Sequence, residues 1–132
     1  MKKKITAFVL AALLVCAMAV PASAANIYAM GSYGSSTYEI SDTCDRYSFT
    51  SYTYCDDHSY YLKSDVFEYT IGSYTDQDEN TQYGEFMVHI TYGSSSRVAS
   101  TTSGECAYSL SRIACKHYVN GDYVHTAYVN PG

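Results

Sequence analysis

From Thr37 onward, apolar and aromatic residues alternate with polar ones at a period of two, the spacing of β-strands. Nowhere do apolar residues recur at helical spacing for three turns, and Tyr, Thr, Val, Ile and Phe fill the periodic segments. The sharpest element is a hairpin: Arg112–Val119 and Asp122–Val129 flank Asn120-Gly121, the dipeptide of a type I′ turn. A two-residue turn fixes register, so Tyr118 is expected opposite Tyr123, Lys116 opposite His125 and Ala114 opposite Ala127. The other face carries Ile113, Cys115, His117, Val119, Val124, Thr126 and Tyr128; being more apolar, it is expected to face the core.

Val66–Tyr74 and Gln82–Tyr92 alternate in the same way. Phe67, Tyr69 and Ile71 share one face of the first; Phe86, Val88, Ile90 and Tyr92 share one face of the second; polar Thr75–Thr81 joins them. Arg46–Tyr54 is strand-like, but its aromatics change parity between Phe49 and Tyr52, which predicts a bulge or turn near Thr50-Ser51. Shorter strands are expected at Tyr60–Lys63, Arg97–Ser100 and Glu105–Leu110, with a loop over Thr101–Gly104. Residues 25–36, rich in Gly and Ser, read as a flexible arm or an edge segment. About seven or eight short antiparallel strands then make residues 37–132 a single all-β domain, a small two-sheet sandwich or barrel.

The chain ahead of this pattern has a different character. Lys2-Lys3-Lys4, an apolar run from Ile5 to Val20, and Pro21-Ala22-Ser23-Ala24 have the three parts of a secretory signal peptide ending in a small-residue cleavage site. The run is shorter than the ~20 residues that span a bilayer, and no positive cluster follows it. Cys16 follows Val15 rather than a small residue, which argues against a lipid anchor there. Residues 1–24 are therefore expected to direct bacterial export, leaving a secreted, extracellular product whose mature chain does not insert into membrane.

Removing that leader changes the charge and the cysteine count. Its three lysines leave 5 Lys+Arg against 13 Asp+Glu, a net charge of −8. Such a surface repels phosphate backbones and anionic lipid, so nucleic acid is not an expected partner. Cys44, Cys55, Cys106 and Cys115 remain, an even number that in an exported chain predicts two disulfides. Local closure favours Cys44–Cys55 with Cys106–Cys115, and a bridge from Cys44 or Cys55 to the C-terminal half is the alternative. Stapling matters because Leu, Ile, Val and Phe are few in the mature chain, which holds all 16 tyrosines; many of those rings are expected in the core.

Candidate chemistry is sparse. Asp76, Asp78 and Asn80 occupy the first three ligand positions of a calcium loop, but Thr81 and Met87 stand where that loop needs Gly and Glu, so a solvated hairpin tip is favoured. His58, His89, His117 and His125 show no metal-ligand spacing, and no cofactor is expected. In composition the chain resembles the small, exported, acidic, tyrosine-rich guanyl-specific microbial ribonucleases. That resemblance implies Glu85 as base, Arg97 for phosphate and His117 or His125 as acid, although the helix and local motifs of those enzymes have no counterpart here.

The remaining signal is tyrosine. A ring that is flat, amphipathic and low in rotamer entropy suits a binding surface. Tyr118 and Tyr123, with His125, are the ligand-binding candidates. The expected partner is an extracellular glycan, a cell-envelope component or a protein, and a secreted antibacterial or toxin-like role is the alternative.

Overall fold

The computed structural model describes residues 26–131, so the leader with its Cys16 lies outside the described residues. Nine strands follow in order: β1 (Asn26–Tyr33), β2 (Ser36–Cys44), β3 (Ser48–Cys55), β4 (Tyr61–Thr75), β5 (Thr81–Thr91), β6 (Ser96–Arg97), β7 (Ala99–Glu105), β8 (Arg112–Val119) and β9 (Asp122–Val129). One antiparallel sheet has the order β1-β2-β3-β7; the other runs β5-β4-β8-β9, with β6 paired to the start of β4. The result is an all-β, sandwich-like pair of sheets, with no helix among the described residues.

The β8–β9 hairpin has the bounds that its turn predicts, with Asn120 at φ 52° and Gly121 at φ 85°. Tyr118 faces Tyr123 as expected, but the register then shifts, so His117 faces His125 and Cys115 faces Ala127. Val124 is the extra residue of this bulge, and beyond it the parity of β9 reverses. The small Ala127 and Val129 enter the core, and Tyr128, expected inside, is 57% exposed. A second bulge, between Glu68 and Tyr69 against β5, splits the face expected to hold Phe86 and Ile90 together: Phe86 pairs with Thr70 and Ile90 with Phe67.

Other expectations shift for related reasons. β3 runs unbroken; the aromatic parity change arises because Ser51 and Thr53 occupy core positions while Tyr52 and Tyr54 point outward. The 25–36 segment is an edge strand, β1, paired with β2 along its whole length. Thr101–Gly104 belongs to β7 rather than a loop, and 106–111 is a crossing between sheets rather than a strand. That crossing is tied down by Leu110 N donating to Arg46 O and Ser111 N donating to Tyr69 O.

The interior has two apolar ends and a polar waist. Cys44, Phe49, Val66, Leu110, Ile113, Cys115 and Val129 form one cluster. Tyr38, Ile40, Cys55, Leu62, Val119 and Ala127 form the other. Asp42, Ser51, Thr53, Ser64, Thr102 and His117 are buried between them. Tyr38 is the one tyrosine in either buried cluster; Tyr33, Tyr60 and Tyr108 pack against the clusters part-buried, and exposed rings such as Tyr28, Tyr83, Tyr92, Tyr123 and Tyr128 lie on the surface instead of filling the core. Gly93 fits where no side chain would: a Cβ there would lie 2.1 Å from the Ser64 carbonyl oxygen, and its N–H donates to Asp65 Oδ1 at 2.9 Å.

All four described cysteines are free thiols. Register rules out the Cys44–Cys55 half of the favoured pairing: Cys44 lies opposite Phe49, six residues along β3 from Cys55, or about 20 Å. A disulfide needs Cα atoms within about 7 Å. Cys44, Cys106 and Cys115 gather at one end of the core, and Cys55 sits alone at the other.

Candidate functional site

The outer face of the β8–β9 hairpin carries a shallow groove of about 440 Å³ lined by Lys116, Tyr118, Tyr123, Thr126 and Tyr128. The positions alternate along β8, and the β9 bulge brings Thr126 and Tyr128 to the same side as Tyr123. Tyr118 and Tyr123 meet edge to face, with centroids 6.2 Å apart at 72°. The Tyr123 hydroxyl shares a 2.5 Å hydrogen bond with Thr126 Oγ1, which fixes the ring's tip. Tyr123 and Tyr128 are each 57% exposed. Strand backbones hold these rings, so a ligand meets a surface formed in advance.

Cations border the groove. Lys63 Nζ lies 4.9 Å from the Tyr118 ring centroid, Lys116 Nζ 4.8 Å from that of Phe67, and the Arg112 guanidinium 4.5 Å from Tyr69 and 5.5 Å from Tyr128. A cation over a ring face is attracted by the ring's quadrupole, by about 0.5–1 kcal/mol where exposed. Arg112 also closes over buried Glu85, at 2.8 Å, and Ser111 Oγ donates to the same carboxylate at 2.8 Å. Lys63 pairs with Asp65 at 3.3 Å.

The sequence candidates divide. Tyr118 and Tyr123 both line the groove, while His125 does not: the bulge turns it toward His117, with ring centroids 6.5 Å apart. Lys116, Thr126 and Tyr128 line the site although sequence reasoning did not select them as ligand-binding residues. The signal for Tyr128 was present in Ala127 and Val129, whose small apolar side chains suit a core position better than a tyrosine.

A second constellation has the look of catalysis. His117 Nε2 lies 2.7 Å from Asp42 Oδ2, His117 Nδ1 lies 2.7 Å from Thr53 Oγ1, and Ser51 Oγ donates to Asp42 Oδ1 at 2.6 Å. Hydroxyl, imidazole and carboxylate thus follow one another as nucleophile, base and orienting acid do in a triad. Thr53, His117 and Asp42 are all fully buried, however, so no substrate reaches the hydroxyl. The chain of bonds ties β2 and β3 of one sheet to β8 of the other.

The ribonuclease-like residues lie apart. Arg97 donates to the Tyr61 hydroxyl at 2.9 Å, Glu85 sits opposite Ile71, and His117 is in the core. Tyr61 and Ile71 are ten residues apart on β4, about 33 Å. Asp76 spends its carboxylate on its own loop. Its Oδ1 accepts from the amides of Asp78 and Asn80, each at 2.9 Å, and its Oδ2 from Gln82 Nε2 at 3.0 Å. Among the described residues no group of three or more His, Cys, Asp or Glu side chains is placed to hold a metal ion.

Glu68 is a heavily bonded carboxylate. It accepts from Thr91 and Tyr108 hydroxyls at 2.7 Å, from the Cys106 thiol at 3.2 Å, and faces His89 Nδ1 at 3.1 Å. Burial pushes its carboxyl upward, but these hydrogen bonds outweigh burial and hold it below the ordinary value. Burial, then the Glu68 carboxylate, pushes the Cys106 thiol up to about 11, and burial pushes Cys44 up to about 12. Neither is an activated nucleophile. Comparison with protein-family models, curated proteins and solved structures finds no match, so function rests on the geometry alone.

Proposed function

We propose that this protein is an exported glycan-binding domain that acts by binding rather than catalysis, and that the β8–β9 groove is its site. The observation that carries the reading is the grouping of exposed Tyr123 and Tyr128 with half-buried Tyr118 on adjacent strands. A sugar ring has one face of C–H bonds that stacks on an aromatic ring and a rim of hydroxyls that hydrogen-bond. Tyrosine presents both complements, and Thr126 and Lys116 add further polar groups at the same place. Export by residues 1–24 belongs to this reading. So does stapling by a disulfide within the Cys44, Cys106 and Cys115 cluster, formed in an oxidising compartment.

The test is depletion from solution. The full-length protein is incubated with a panel of insoluble and immobilised polysaccharides, and the unbound fraction is measured. Retention on at least one polymer is expected, with most of it lost in a Tyr118→Ala/Tyr123→Ala double variant that melts as the parent does. Retention on none, or retention indifferent to these substitutions, overturns the reading.

A further inference from the structure

The cations of this acidic domain are not scattered. The described residues hold five Lys and Arg, and each lies over an aromatic ring: Arg46 over Tyr47, Lys63 over Tyr118, Arg97 over Tyr61, Arg112 over Tyr69 and Tyr128, and Lys116 over Phe67. All but Arg46 belong to the outer side of the five-stranded sheet, on β4, β6 and β8. Two carboxylates on that side are withdrawn from solvent: Glu85 lies under Arg112, and Asp65 is held by Lys63 and the Gly93 amide. No carboxylate lines the groove.

A mature chain of net charge −8 therefore turns one cationic, ring-bearing side outward, and its groove contains an ammonium group. We propose that the groove takes an acidic polysaccharide, its sugar rings lying on Tyr118, Tyr123 and Tyr128 and a ring carboxylate meeting Lys116 Nζ, with Lys63 flanking. Stacking against Phe67 orders the lysine stem, and the ammonium has three N–H donors to share. The acidic remainder of the surface repels a polyanion, so contact is confined to this side. This inference rests on the glycan-binding reading and adds the chemical class.

Polygalacturonate and hyaluronan, each compared with its methyl-esterified form, separate the two claims, because esterification removes charge and keeps the sugar backbone. Titration calorimetry of the full-length protein should show binding to at least one acid polymer. Its esterified form should bind roughly fivefold more weakly, the upper scale of one exposed ion pair. Binding to the acid form should weaken with added salt. Lys116→Gln should bring the ratio of acid-form to esterified-form affinity close to one, in a variant whose melting temperature matches the parent's. Equal affinity for acid and esterified forms overturns the acidic preference and leaves glycan binding standing. Binding to neutral polymers of the depletion panel alone does the same, and binding to no polysaccharide overturns both.

Discussion

The buried Asp42–His117 waist and the tyrosine groove are two contrasting polar constellations of this fold, and they invert what their residue types suggest. The waist has the side chains of an enzyme and none of the access. The groove has only phenols, a hydroxyl and an amine, yet every member reaches a surface where a partner can arrive. Accessibility, more than residue identity, decides which of the two can act on another molecule. The waist joins the sheets, and the groove is free to do something else.

The largest effect expected is on the waist. His117→Ala leaves a buried carboxylate without its main partner and should cost about 3–5 kcal/mol in urea unfolding. Replacing both Asp42 and His117 by leucine should recover much of that loss, because no unpaired charge remains. If His117→Ala unfolded at the parental midpoint, the waist would not be holding the sheets together. In the groove, Tyr118→Ala or Tyr123→Ala should weaken glycan binding by about 1–2 kcal/mol each. Stability should stay within about 0.5 kcal/mol, read by calorimetry and denaturant melts.

Acid should act on the sheet crossing rather than on the groove. Glu68 has a folded-state carboxyl held below the ordinary 4.5, so its ionised form stabilises the fold above that value. This contribution is lost as pH falls from there through the lowered folded value. Glu68→Gln should flatten the fall in melting temperature over that acid range; an unchanged slope would show that other carboxylates dominate. The smallest effect is a mass change. In the chain from Ala25, oxidation with glutathione disulfide should form at most one intramolecular bridge, because Cys55 is out of reach of the other three described thiols. Intact mass should fall by two hydrogens and not four, with the linked peptides drawn from Cys44, Cys106 and Cys115.

The sequence revealed strands better than faces. Asn120-Gly121 located β8 and β9 to the residue, since a positive φ at both turn positions is a strong local requirement. Beyond the turn the faces were misread, because a bulge at Val124 costs one residue of register and its only mark is the pair of small apolar residues, Ala127 and Val129, that flank Tyr128. The same applies to β3. Ser51 and Thr53 look like solvent-facing residues, and only their partners Asp42 and His117, distant in sequence, explain their burial. Tyr118 and Tyr123 were legible as neighbours on one face because they pair directly across the turn. Tyr128 and Thr126 required three-dimensional register, whereas Lys116 shares the Tyr118 face in either register. The cysteine count suggested bridges, but which thiols can meet depended on strand direction.

β1 begins at Asn26 beside Thr43, and β9 ends at Val129 in the Cys44 cluster, so both ends of the described domain lie at the same end of the sandwich. Tyr118 and Tyr123 lie toward the other end, about 20 Å along β8 from Arg112. Attached to a bead, a tag or a neighbouring domain through either end, the molecule would hold these two rings away from its anchor. Orientation is then a property of the topology, and immobilisation by either end should leave Tyr118 and Tyr123 open for capture.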